Sequence, residues 1–285
     1  MSLLSRVFGK KLAKRLNVRQ RFQLDHNSVT GTVSKYYSAK EIATGNVFGL
    51  KLIDPKKTES QRSRYKDLKL PLEGLIAESI KHEFVVETYE HGRTTDNNEY
   101  ILMEHLSGPR LDILFSRETE LPLKYRLRMV IQLAKAIHHV HESGYVHRDI
   151  CPRNVICSRD LKSLKLIDFH LALPNQPQYR TRVSRSGTPH YMAPEIVRRK
   201  PADHRVDIFS FGITAFQILT AGQHPWGETD NATQAALTFD TVEPKQLSEL
   251  NPNVPSGFAD TIQSCLKAKP DDRPSTMGRV LRALR

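Results

Sequence analysis

From Val146 to Asn154 the chain reads Val-His-Arg-Asp-Ile-Cys-Pro-Arg-Asn, which puts a carboxylate, Asp149, and an amide, Asn154, five residues apart on a short loop. Nineteen residues after Asp149, the apolar run Leu166-Ile167 ends in a single carboxylate, Asp168, followed by Phe169-His170. The tripeptide His-Arg-Asp is common by itself; the ordered set is what constrains the chain. Phosphoryl transfer needs such a set. One carboxylate can orient an attacking hydroxyl and accept its proton, while an amide oxygen and a second carboxylate can hold magnesium ions that neutralise phosphate charge.

The 285 residues suffice for one large domain or two lobes sharing a site, with about 75% of the unfolded surface buried on folding. Three cysteines, Cys151, Cys157 and Cys265, have no paired spacing, which argues against a disulfide framework or a zinc site and favours a reducing, cytoplasmic setting. The longest apolar stretch, Ile208 to Ala221, is shorter than the roughly 20 residues of a membrane span and carries Ser210, Thr214 and Gln217, so it reads as a buried helix. The N-terminus lacks a signal-type apolar core, and Ser2 stands where myristoylation would need glycine. A net charge of +12 suits an anionic partner, but the few aromatic residues are not interleaved with the basic ones, and no nucleic-acid partner is expected.

Residues 1–21 carry seven Lys or Arg residues, with Leu4, Phe8, Leu12 and Leu16 at every fourth position, the pattern of a basic amphipathic helix. Such a helix either contacts a membrane surface or partner, or packs on the adjacent lobe with a solvated basic face; the second reading is preferred. From Phe22 to Met103, strand-like runs at Gly31 to Tyr36, Gly45 to Ile53, Val85 to Tyr89 and Glu99 to Met103 surround one helical stretch, Leu70 to Lys81. Beyond it, Lys124 to Ser143, Val206 to Ala221 and Ala259 to Ala268 repeat apolar residues at helical spacing. An α+β architecture follows: a small strand-rich lobe with one main helix over 22–103, then a larger helical lobe over 104–285.

These motifs resemble the eukaryotic-type protein kinases, serine/threonine group, over about residues 22 to 283. The family's glycine-rich loop, strand lysine, H-R-D loop, D-F-G and A-P-E appear in order, the last within Gly187-Thr188-Pro189-His190-Tyr191-Met192-Ala193-Pro194-Glu195. The resemblance implies a bilobal kinase fold and an ATP- and Mg2+-dependent kinase. Asp149 would be the base and Asn154 and Asp168 the metal ligands. Phe48-Gly49-Leu50-Lys51 matches the lysine strand, so Lys51 would contact the α and β phosphates, steadied by Glu73. Met103 would be the gatekeeper and Glu104-His105-Leu106 the hinge, with Val33, Gly49 and Ile156 around adenine. Asp207 would open a buried central helix, and Arg273 would pair with Glu195.

The chain also departs from the pattern. Its glycine loop reads His26-Asn27-Ser28-Val29-Thr30-Gly31-Thr32-Val33, keeping only Gly31 and Val33, so a looser grip on phosphate is expected. His170 replaces the D-F-G glycine, at a position where left-handed backbone would be better tolerated by His than by branched residues. Cys151 replaces the lysine of serine/threonine kinases, while Arg153 sits where tyrosine kinases often carry arginine. Serine/threonine specificity is preferred on the Thr188-Pro189-His190-Tyr191 loop, with Thr188 orienting Asp149 and Arg153. Cys151 is a redox-sensitive thiol or, the preferred reading, a small filler.

Because Arg148 precedes the base, the resemblance implies an activation segment ordered by phosphate, with Ser184 at the family's usual phosphosite and self-phosphorylation as one route. The resemblance puts Arg110 and Arg153 at positions that face the substrate and are acidic in basophilic kinases; with Arg180, Arg182 and Arg185 nearby, they suggest acidic protein substrates. The histidines 138, 139, 141 and 147 lack the partners of a tetrahedral metal set; His147 is expected to support the magnesium loop. The alternative to an active enzyme is a pseudokinase that binds nucleotide or scaffolds partners.

Overall fold

The computed structural model describes residues 15–25, 29–31, 33–68, 70–116, 121–181, 185–227, 238–239 and 241–285. They divide into two compact units, one built from the chain up to Arg64 together with Glu87–His105, the other from Tyr65–Val86 and Leu106–Arg285.

The first unit is an antiparallel sheet. Strands β1 (Phe22–Leu24), β3 (Ser34–Glu41), β4 (Val47–Ile53), β6 (Glu99–Glu104) and β5 (Thr88–Arg93) lie in that order, and β2 (Val29–Thr30) pairs with β3. Alternation along β4 sorts its side chains. Phe48, Leu50 and Leu52 join Leu16, Phe22, Leu24, Ala39, Tyr100 and Leu102 in one cluster, so Gly49, Lys51 and Ile53 take the opposite face. Register then sets Lys51 against Tyr36 on one side and Ile101 on the other, and Gly49 against Ser38 and Met103. The segment before β1 is tied to this sheet. Leu16 is buried and its N–H donates to Arg93 O at 2.9 Å; a short helix, α1 (Val18–Arg21), is capped by Asn17; and Arg21 pairs with Glu41 at 2.9 Å and Glu90 at 2.8 Å. The rest of the expected amphipathic helix, with Leu4, Phe8 and Leu12, lies outside the described residues.

Within this unit, sequence periodicity missed the helix α2 (Pro55–Ser63). It has no apolar stripe, but Asp54 caps it, accepting from Lys56 N–H at 2.9 Å, and Pro55 fits its first turn. The strand expected at Val85 to Tyr89 instead begins at Thr88, because Phe84, Val85 and Val86 are buried in the second unit, where Val86 N–H donates to Leu166 O at 3.0 Å. The strand expected from Gly31 is split by a turn closed by Gly31 N–H on Ser34 O at 2.8 Å.

The second unit is helical. Helix α3 (Glu73–Ser79) is followed by α4 (Leu111–Ser116) and α5 (Leu123–Glu142), whose Met129, Val130, Leu133, Ile137 and Val140 form the apolar stripe that the sequence showed. After two short turns, α6 (Pro177–Arg180) and α7 (Pro194–Val197), comes α8 (Arg205–Leu219), buried from Val206 to Leu219, which packs on α5 and on α9 (Ser256–Cys265); α10 (Met277–Ala283) packs on α5. Two hairpin-like pairs complete it: β7 (Tyr145–Val146) with β10 (Leu173–Pro174), and β8 (Val155–Cys157) with β9 (Leu164–Leu166). They anchor both ends of the loop bearing Asp149.

Candidate active site

Asp149 leaves β7 on a loop whose shape is imposed from a distance. Asp207, fully buried in the first turn of α8, accepts the N–H of Arg148 at 2.7 Å on one oxygen, and the N–H of His147 and the Nε2–H of His141, both at 2.8 Å, on the other. Burial opposes ionisation of Asp207, but His141, the nearby imidazole of His147 and the Arg148 amide outweigh it and hold its pKa below the ordinary value. Those bonds help hold Arg148 in left-handed backbone, φ 68°, a conformation costing about 1–3 kcal/mol for a non-glycine residue.

His147 is buried and hydrogen-bonds to backbone through both ring nitrogens. Its Nε2–H donates to Ile167 O at 3.2 Å, while Nδ1 accepts the Asp149 N–H at 3.3 Å. Burial pushes its pKa down despite three surrounding carboxylates, Asp207 first. One neutral imidazole thus ties the Asp149 loop to the residue before Asp168.

The Asp149 carboxylate is held at both oxygens. Oδ1 accepts the N–H and the Oγ1–H of Thr188, each at 2.9 Å, and Oδ2 accepts Asn154 Nδ2–H at 2.9 Å. Arg153 Nη2 donates to Thr188 Oγ1 at 3.2 Å, so a guanidinium reaches the same hydroxyl that serves Asp149. Cys151 Sγ lies 3.5 Å from Thr188 Oγ1; its thiol is pushed up to about 12, by burial first and then by the Asp149 charge, which fits the small-filler reading and opposes a reactive thiolate. Gly187, φ 134°, brings Thr188 close: a Cβ there would stand 3.2 Å from Arg148 O. Tyr191 donates to Gln217 Oε1 at 2.8 Å, and Glu195 is forked onto Arg273 at 2.7 and 2.8 Å, both buried, as the sequence suggested.

The donor set suits a hard cation. Asn154 spends its amide N–H groups on Asp149 O, at 2.8 Å, and Oδ2, so Oδ1 is the atom it could offer a cation; magnesium takes such oxygens along with one or two carboxylates and phosphates. Asp168 has left-handed backbone, φ 68°, and its Oδ1 accepts the N–H of His170 at 3.1 Å and the His170 ring Nδ1–H at 2.8 Å. The left-handed residue is therefore Asp168 and not His170. Ile156 lies on β8 opposite Lys165, and Leu106 and Glu73, the first residue of α3, also belong to the second unit.

In the first unit, Lys51 is buried on β4, Val33 O accepts the Asp54 N–H at 3.2 Å, Gly31 closes its turn, and Glu104 ends β6 with its N–H on Glu87 O at 2.9 Å. Gly49 is constrained by a residue that sequence reasoning passed over. A Cβ there would lie 2.6 Å from the Tyr36 hydroxyl and 3.0 Å from Met103 Cγ, so the Tyr36 side chain occupies the space above the glycine, its hydroxyl 3.4 Å from His105 Nδ1.

Among the basic residues, Arg110 is forked onto Asp112 at 2.9 and 2.7 Å, so its charge is compensated within the chain. Arg148 and Arg180 line a cavity of about 20 Å³ with Asn175, Tyr179 and Asp203. Ser184, Arg182, His26, Ser28 and Thr32 lie outside the described residues.

A sequence model of the family described as "Protein kinase domain" matches residues 29–282. The chain is 28% identical over 262 residues to a probable serine/threonine-protein kinase of Clostridium acetobutylicum, covering 92% of this chain and 39% of that protein. It is 27% identical to serine/threonine-protein kinase pkn3 of Myxococcus xanthus, with 86% and 46% covered, and 31% identical to serine/threonine-protein kinase PrkC of Bacillus subtilis, with 72% and 31% covered. The chain spans less than half the length of each of these relatives.

Proposed function

The chain belongs to the protein kinase domain family, and from that premise we propose that it transfers the γ-phosphoryl group of ATP to serine and threonine hydroxyls of protein substrates. The observation that carries this reading is the Asp149 carboxylate, fixed by three hydrogen bonds from Thr188 and Asn154 on a loop braced by Asp207. Pre-set carboxylates and cations supply most of what phosphoryl transfer asks of a protein.

In this reading Asp149 orients the acceptor hydroxyl and takes its proton. Asn154 Oδ1 and Asp168 would hold Mg2+, which when bound would supply charge neutralisation on the phosphate oxygens. Arg153, hydrogen-bonded to Thr188, brings the cation that Cys151 cannot supply; Thr188 joins it to Asp149. By the family resemblance, Lys51 would contact the nucleotide phosphates with Glu73 to steady it, and Gly31, Val33, Glu104, Leu106 and Ile156 would receive the nucleotide. The three names of the similar proteins, each a serine/threonine-protein kinase, support the acceptor class.

Regulation and substrate preference follow from the arginines. Arg148, beside Arg180 at one small cavity, grips a phosphate on Ser184, added by the chain itself or by another kinase. Acidic substrates face Arg153, Arg180 and Arg185; Arg110, neutralised by Asp112, leaves that set. The described end of the N-terminal extension, residues 15–21, packs on the strand-rich unit through Leu16 and the Arg21 ion pairs, and the protein is assigned to the cytoplasm.

The test of acceptor class uses the full chain with γ-labelled ATP, Mg2+ and a generic protein acceptor, followed by hydrolysis and identification of the labelled amino acid. Label on serine or threonine is expected. Label on tyrosine alone overturns the acceptor class, and no label with any acceptor returns the chain to a nucleotide-binding or scaffolding role.

A further inference from the structure

We propose that His170 competes with the metal for Asp168: its imidazole is a side-chain latch on one carboxylate oxygen and raises the metal concentration at which the site fills. The proposal rests on the reading of Asp168 as a metal ligand.

A carboxylate oxygen has about two lone-pair sites. At Asp168 Oδ1 both are taken by one residue, through the His170 N–H at 3.1 Å and the ring Nδ1–H at 2.8 Å. An ionised carboxylate only accepts, so the shared proton sits on Nδ1, and the bond is charge-assisted and correspondingly strong. Glycine at this position would offer the backbone donor alone. The second donor exists only because a side chain is present, and the backbone permits one: among the described residues, positive φ falls on Asp168 and not on His170.

The ring hinders the cation instead of helping to bind it. Its proton-bearing nitrogen faces the carboxylate, and a group that donates cannot at once coordinate. Among the described residues no three His, Cys, Asp or Glu side chains cluster as a metal-binding group, so His170 and Asp168 do not extend into a chelate with imidazole as a member. A cation that uses Oδ1, alone or together with Oδ2, must first displace the ring. Both side chains reach solvent, with 25% and 28% of their surface exposed. The latch is therefore a reversible competitor that acts on the same oxygen as the metal.

The test measures metal occupancy without turnover. The full chain is titrated with Mn2+ in the presence of a saturating non-hydrolysable ATP analogue, and free Mn2+ is read by electron paramagnetic resonance. His170→Phe keeps the bulk and removes the donor; His170→Ala removes both and serves if the aromatic replacement does not fold. Both are expected to bind Mn2+ about tenfold more tightly than the natural chain, the scale of losing one hydrogen bond to a charged group. Equal or weaker binding in these variants overturns the latch. Asp168→Asn separates this failure from failure of the underlying reading: it should weaken Mn2+ binding, and if it leaves affinity unchanged, Asp168 is not a ligand and the latch falls with it.

Discussion

Replacing Asp207 with Asn should cost the second unit about 3–5 kcal/mol, although the side chain keeps its size. The buried carboxylate accepts three donors, the N–H groups of His147 and Arg148 and the Nε2–H of His141, at 2.7–2.8 Å. An asparagine offers one oxygen and turns an NH2 group towards one set of donors, so at least one buried N–H is left unsatisfied at about 1–3 kcal/mol, and the charge-assisted bond from His141 is lost at about 1.5–3 kcal/mol. Urea unfolding can be followed through Trp226, the chain's one tryptophan, which stacks on Phe239 in the same unit with ring centroids 4.4 Å apart. With a slope of about 3 kcal/mol per molar, the midpoint should fall by more than about 1 M. His141→Gln, which disturbs one of the three bonds, should cost less than half as much. A loss below about 1 kcal/mol for Asp207→Asn, or equal losses in the two variants, would refute the argument that Asp207 braces this loop.

Acid should weaken the second unit through His224, whose two nitrogens are both engaged as a neutral ring, Nε2–H on His190 O at 3.0 Å and Nδ1 accepting the Trp226 N–H at 3.3 Å. Burial pushes its pKa from 6.5 to about 4, so the unfolded chain binds the extra proton: stability is full above about pH 6.5 and falls by up to about 3 kcal/mol as pH drops to about 4. His224→Gln should flatten that limb in circular-dichroism melts, and an unchanged limb counts against the assignment. Gly49→Ala should destabilise the first unit by about 1–3 kcal/mol, because its Cβ would meet the Tyr36 hydroxyl at 2.6 Å; Tyr36→Ala in the same chain should recover most of the loss, and simple additivity in thermal melts would disprove the contact. Thr188→Val keeps the backbone donor but removes the hydroxyl shared by Asp149 and Arg153, so kcat should fall about 10- to 100-fold with ATP affinity unchanged; a fall in ATP affinity with kcat intact would contradict the assigned position.

What could be read from the sequence was whatever repeats locally. The stripe of α5, the uninterrupted burial of α8 and the alternation of β4 about Lys51 follow from the order of apolar residues, and Asp149, Asn154 and Thr188 do come together by hydrogen bonding. Pairings between distant segments were hidden. Nothing near Asp207 announces that it will hold amides about sixty positions earlier in the chain, and Tyr36 and Gly49 look unrelated until register places their strands side by side. Val85 and Val86 read as the start of a strand because an apolar run does not reveal which unit will bury it. His170 was visible as a departure from glycine, but only the 2.8 Å bond to Asp168 shows which oxygen it occupies.

The most direct test of the account is the initial rate of label transfer from γ-labelled ATP to a protein acceptor, with the natural chain beside Asp149→Asn at equal nucleotide occupancy. Loss of the base should slow transfer by at least about 100-fold while leaving nucleotide binding intact. Equal rates in the two proteins, or transfer by neither, would contradict the assignment of Asp149 as the base of an active kinase.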